Sequence, residues 1–135
     1  MTIALQFCNI TVNDVDESIP FYAALGLEVQ NDVKSGDYRW VTMGSDAQPG
    51  LGIVLSAPHA GRSKENGDLI QELLVKGELP MMVYRTDDVD GLFEKLRSTG
   101  AEVLQEPMDQ GWGPRDCAFR DPSGNMVRIA QAPAA

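Results

Sequence analysis

Two stretches of this chain repeat one pattern 74 residues apart. Asn13 to Val29 reads NDVDESIPFYAALGLEV, and Asp87 to Val103 reads DDVDGLFEKLRSTGAEV. Val15-Asp16 returns as Val89-Asp90, and Gly26, Glu28 and Val29 return as Gly100, Glu102 and Val103. In each copy an Asp stands before apolar residues at helical spacing, and a glycine closes the run, as an N-cap and a C-terminal stop do. The same offset pairs Phe7 with Met81, Ile10 with Tyr84, Gly50 with Gly124 and Val54 with Arg128. The chain has 135 residues, the length of one ordinary domain. A duplication within that length predicts two small modules that share one core.

Each module reads as β-α-β-β-β. Leu5 to Val12 alternates and carries β-branched residues, which predicts a strand. Val15, Ile19, Tyr22 and Leu25 give a helix that Gly26 ends, although Pro20 lies in its first half. Leu27 to Lys34, Tyr38 to Met43 and Leu51 to Ser56 give three more strands. The second copy repeats the order: MMVYR, a helix on Val89, Leu92, Phe93 and Leu96, then AEVLQE, PRDCAFR and NMVRIAQ, with a tight DPSG turn before the last. Between them lies a polar stretch with an amphipathic LIQELLVKG segment, read as a linker with a short helix. The expected organisation is module one over 1–56, a linker over 57–79 and module two over 80–135. One such module leaves sheet surface bare. Two give an α+β fold with a curved mixed sheet, helices outside and room for a pocket.

Charge and composition narrow the function. Twenty acidic residues against eleven basic ones give a net charge of −9. Such a surface repels phosphate backbones and anionic lipid, so neither nucleic acid nor membrane is an expected partner. No run approaches the ~20 apolar residues of a membrane span. The first residues have no basic region, so no signal peptide is expected. Cys8 and Cys117 form no CxxC motif and no disulfide framework, which suits a reducing cytoplasm.

The motif ND-x-x-x-S-x-x-FY-x-x-LGLEV in the first module, with DPSGN before the last strand, resembles the vicinal oxygen chelate superfamily. That group includes glyoxalase I, extradiol dioxygenases, fosfomycin-modifying enzymes and bleomycin-resistance proteins. The resemblance covers nearly the whole chain and implies the glyoxalase/bleomycin-resistance fold. It also implies that enzymes of the group hold a divalent metal through His and Glu from the first and last strands of each module. Carried onto this sequence, those places fall on Phe7, seven residues before Asp14, and on Met81, seven before Asp88. The other two fall on Arg128, seven after Asp121, and on Val54. None offers an imidazole or a carboxylate. A thioether suits soft metals, and a permanent cation opposes any metal ion. The only histidine, His59, is in the linker, whereas a catalytic site needs about three protein ligands. Neither metal nor other cofactor is expected, and no catalytic residue is assigned.

Strand alternation sends Cys8, Ile10, Val12, Val127 and Ile129 toward the helices. It sends Phe7, Asn9, Thr11, Met81, Val83, Met126 and Arg128 to the opposite faces. The expected ligand-binding residues are Phe7, Asn9, Trp40, Val54, Met81, Trp112, Arg115 and Arg128. Trp112 stands in the glycine-flanked loop DQGWGPRD, placed to meet a ligand, a second chain or its own surroundings. Arg115 is placed to meet an anionic group or to pair with Asp116 or Asp121. The expected function is binding of a small, planar or apolar organic molecule, with metal-free sequestration of an antibiotic or other toxic aromatic compound named first. The expected assembly is a homodimer. The alternatives are a glyoxalase-type lyase or isomerase, or a dioxygenase-like enzyme, with a non-standard metal site, and an interaction module that holds a partner on its sheet.

Overall fold

The computed structural model describes residues 1–134. The chain forms two compact units, Met1–Glu72 and Leu73–Ala135. In the first, β1 (Phe7–Thr11), α1 (Val15–Leu25), β2 (Glu28–Ser35), β3 (Tyr38–Gly44) and β4 (Gly52–Ser56) are followed by most of α2 (Lys64–Val75). In the second, β5 (Met82–Thr86), α3 (Val89–Ser98), β6 (Glu102–Asp109), β7 (Arg115–Arg120) and β8 (Met126–Gln131) repeat the β-α-β-β-β order. The strands form two mixed sheets of four, in the orders β1-β4-β3-β2 and β5-β8-β7-β6. In each, the first and last strands of the module run parallel and the other pairs antiparallel. The fold is the expected α+β pair of βαβββ modules.

The helix starts follow from the repeated Asp. Asp14 accepts a hydrogen bond from the backbone N–H of Glu17 at 3.1 Å, and Asp88 accepts one from Gly91 at 3.0 Å. Each satisfies an amide that the first helical turn leaves without a partner. Gly26 ends α1 with φ of 121°, a conformation costly for any residue with a Cβ. α1 runs unbroken through Pro20. The missing N–H there removes one bond near the helix start, on a side where Pro20 faces solvent. α2 starts at Lys64, five residues before the expected apolar run, because Ser63 accepts from the Asn66 N–H at 3.2 Å and caps an earlier turn. β6 continues through Pro107 to Asp109, and its register with β7 breaks between Gln105 and Met108, where the proline cannot donate.

The helix-facing residues make each core. Ile10, Val12, Val41, Met43 and Leu55 are buried with Phe21, Tyr22 and Leu25 of α1. Cys117, Phe119, Val127 and Ile129 are buried with Val89, Phe93 and Leu96 of α3. The repeat, however, slips by two residues in one strand. Asn9 faces Val54 as Val83 faces Arg128, which keeps the offset of 74 for the parallel strands. Yet Val54 faces Thr42 in β3, whereas Arg128 faces Ala118 in β7, 76 residues beyond Thr42. By register, then, the counterpart of Trp40 is Asp116. The loop after β3 is longer than the loop after β7, and the loop before β3 is shorter than the one before β7, so the two differences cancel by β4 and β8.

Candidate functional site

On the face of the first sheet away from α1, Phe7 stands level with Gly52 and Gly44, and Trp40 lies at the opposite end of the same face. Between them runs the row Asn9, Val54, Thr42. The two rings lean together over this row and meet edge to face, with centroids 5.8 Å apart and planes at 90°, a geometry that aromatic quadrupoles favour. This explains why Val54 and Thr42 are 1% and 0% exposed on a face that has no helix, while Phe7 is 37% exposed. Beneath the pair, the Thr42 hydroxyl has no hydrogen-bond partner among the described residues. Gly44 and Gly52 keep the sheet surface flat, and the Gln30 side-chain amide lies across both. A Cβ at Gly44 would collide with that amide, and one at Gly52 would stand 3.1 Å from its oxygen. Gln30 reaches this face through the irregularity in β2 between Val29 and Asn31. Four of the expected ligand-binding residues, Phe7, Asn9, Trp40 and Val54, are therefore together.

The corresponding face of the second sheet is built from charge and amides. Asp116, 2% exposed, accepts from Gln105 and Gln110 at 2.8 Å each and from Arg128 at 2.8 Å. Arg128 also donates to the Gln105 oxygen at 3.2 Å. Burial pushes the Asp116 carboxyl toward its neutral form, but the Gln110, Gln105 and Arg128 bonds outweigh it and hold the group below the usual carboxylate value. Arg128 is thus a half-exposed cation tied by one nitrogen to a buried carboxylate, rather than a free charge. Asp116, Gln105 and Gln110 are the site residues that sequence reading missed. Their network depends on the two-residue slip, which an offset of 74 hides. Met81, immediately before β5, is exposed, and Trp112 is 80% exposed in the turn between β6 and β7. Arg115 pairs with neither Asp116 nor Asp121. It binds Asp90 in α3 through two nitrogens, at 2.8 and 3.1 Å, and reaches Asp109 at 3.5 Å. In the adjacent core, burial pushes the Cys117 thiol up to about 11.

The donor set does not suit a metal ion. Among the described residues no group of three or more His, Cys, Asp or Glu side chains is placed to hold one. Phe7, Val54, Met81 and Arg128 stand at the inferred metal positions and offer no oxygen or imidazole donor. His59 is engaged elsewhere, its Nε2 2.8 Å from Asp68, which also accepts from Lys64 at 2.9 Å. Among the described residues no helix is long and apolar enough to cross a membrane.

A model of the Glyoxalase/Bleomycin resistance protein/Dioxygenase superfamily matches residues 4–129. The chain belongs to this superfamily. The chain is 29% identical over 125 residues to the uncharacterized protein YurT of Bacillus subtilis (strain 168), covering 91% of this chain and 94% of that one. The solved structure of UcmS2 is 30% identical, covers 98% of this chain and all of its own, and superposes with a TM-score of 0.87. TnmS3, an antibiotic binding protein from Streptomyces sp. CB03234, is 24% identical with a TM-score of 0.75, over 98% and 99% of the two chains. The superfamily scaffold hosts many chemistries, so the ligand has to be argued from the faces themselves.

Proposed function

We propose that this protein binds a small, planar or apolar organic molecule without a metal, and that it sequesters an antibiotic or other toxic aromatic compound. The observation that carries the reading is the Phe7–Trp40 pair. Its two rings meet over a buried, unsatisfied hydroxyl, with the amides of Asn9 and Gln30 exposed on the same face and free of side-chain hydrogen bonds among the described residues. A planar ligand that parts or caps the rings gains aromatic contact, and Thr42, Asn9 and Gln30 supply hydrogen-bonding groups that fix its orientation. In the second unit, taken by itself, Arg128 keeps donors beyond those that Asp116 and Gln105 accept, Met81 and Trp112 are exposed, and Arg115 is already engaged by two carboxylates. TnmS3 has this fold and is described as antibiotic-binding, so the scaffold is compatible with such a ligand; at its level of identity it lends no more than the fold.

The working unit in this reading is a homodimer. Val33, Met108 and Trp112 are all exposed in the single chain, and a second copy removes such surface from water. Light scattering at micromolar concentration is expected to give twice 14.7 kDa; a monomer would remove this part of the proposal. The two free thiols suit a cytoplasmic location. Ligand binding is tested by fluorescence titration against planar antibiotics and aromatic acids with a chelator present. Saturable binding that Phe7→Ala weakens supports the reading. Binding that appears only when zinc, nickel or iron is added back overturns it and favours a metal-dependent enzyme.

A further inference from the structure

We propose that the second unit carries its own pocket for small organic anions with an apolar body, and that Arg85 receives the anionic end. A cavity of about 620 Å³ opens there, within the range that holds drug-sized molecules. Its walls are largely apolar: Val83, Ala130, Ala132, Pro114 and Pro133. The two prolines offer no N–H, and Ala130, which faces Arg85 across β5 and β8, is small enough to leave space beside the guanidinium.

The polar groups around the cavity are unequal. Gln131 donates to the Asp87 carbonyl at 2.7 Å and accepts from the Val89 N–H at 2.9 Å, so its amide is committed to the start of α3. Arg115 is neutralised by Asp90 and Asp109. Arg85 alone among the seven arginines has no hydrogen bond or ion pair from its side chain among the described residues. Arg39 binds Asp16 and Asp32, Arg62 the Pro58 carbonyl, Arg97 Glu94, Arg120 Glu102, and Arg128 Asp116. In a chain with nearly two acids for each base, a guanidinium without a carboxylate, set at an apolar cavity, is selectively placed. Its planar fork of donors matches a carboxylate or sulfonate in a bidentate manner. The net charge of −9 disfavours anions elsewhere on the surface, so a local cation is what this cavity needs to retain one. The assignment holds whether or not the Phe7–Trp40 face takes a ligand.

Two fluorescent probes with one aromatic frame test it: 8-anilinonaphthalene-1-sulfonate, which carries an anion, and N-phenyl-1-naphthylamine, which does not. Each is titrated into wild type, Arg85→Ala, Arg85→Glu and Phe7→Ala, with circular dichroism melts to show that every variant is folded. The expected result is a loss of affinity for the sulfonate of about tenfold in Arg85→Ala and more in Arg85→Glu, with the neutral probe unchanged in both. Equal affinity of wild type and Arg85→Ala for the sulfonate overturns the proposal. So does a sulfonate affinity that falls in Phe7→Ala alone, since that places the probe on the first sheet. Loss of the neutral probe in Phe7→Ala, with the Arg85 effect intact, supports both sites separately.

Discussion

Trp40 in the first sheet and Asp116 in the second occupy the same register position in two copies of one module, on the face away from the helix. Around Trp40 are Phe7, Val54 and an unpartnered Thr42 hydroxyl. Around Asp116 are Arg128, Gln105 and Gln110, joined by hydrogen bonds of 2.8 to 3.2 Å. The helix-facing sides did not diverge in this way. Both bury branched aliphatic and aromatic residues, and both helices start on an Asp cap. A duplicated module must retain what buries its core, while the opposite face is free to change. One copy has become an aromatic surface with unused hydrogen-bonding groups. The other has become a satisfied polar network, beside which Arg128 keeps spare donors and Arg85 stands at the apolar cavity.

If that contrast is real, substitutions at the two equivalent positions must act on different quantities. Asp116→Ala has the largest expected effect on stability. It leaves Arg128 and two amides facing a buried gap, and a loss of about 1–3 kcal/mol is expected for removing one partner of such a network. Urea unfolding measures it, and a change below ~0.5 kcal/mol would reduce the network to surface decoration.

Trp40→Ala should act on binding instead. A buried ring is worth roughly 1–3 kcal/mol, so affinity for a neutral aromatic ligand should fall about tenfold or more. Isothermal titration of wild type and variant decides this. Equal affinities would mean that the ligand sits elsewhere.

Acid sharpens the contrast further. Asp116 is held below its ordinary value of 3.8, so its contribution is complete above that pH and fades as pH falls through the lowered value. The stability gap between wild type and Asp116→Ala should therefore narrow below pH 3.8, whereas the gap between wild type and Trp40→Ala should stay flat through that range. Melts at neutral and acidic pH test the pair.

The smallest effect on stability is expected at Trp112. At 80% exposure it supports little of the folded chain, so Trp112→Ala should leave the melting temperature unchanged while weakening any ligand or dimer contact it makes. A drop of several degrees would show that the loop packs in the assembled protein.

The framework of the fold could be read from the chain because caps, helix stops and strand alternation are local signals. Asp14, Gly26, Asp88 and Gly100 mark both helices, and the alternation of Ile10, Val12, Val127 and Ile129 marks which side is core. Phe7 and Asn9 came out of alternation, Val54 out of the 74-residue offset and Trp40 out of its place in a strand, and the four meet on one face. The polar network could not be read. Asp116 becomes the partner of Arg128 only after β7 slides two residues against the repeat, and the sliding is set by loop lengths rather than by the strand itself. The ion-pair partner of Arg115 was not legible for a related reason. Its partner Asp90 lies 25 residues away on α3, and no periodic pattern links a strand's first residue to a helix's first turn. Arg85 passed unnoticed because a charged residue at the end of a strand looks like an ordinary solvated edge until the partners of every other arginine are known.

The most direct test follows Trp40 itself. The chain has two tryptophans, so Trp112→Phe leaves Trp40 as the only one. Titrating that protein with N-phenyl-1-naphthylamine in the presence of a chelator, and reading energy transfer from the indole to the probe, asks whether an aromatic molecule binds beside Trp40 without a metal. The account predicts saturable transfer that Phe7→Ala weakens about tenfold. It is contradicted if the chelator abolishes binding, or if transfer is seen only in the reciprocal Trp40→Phe protein, where Trp112 alone remains.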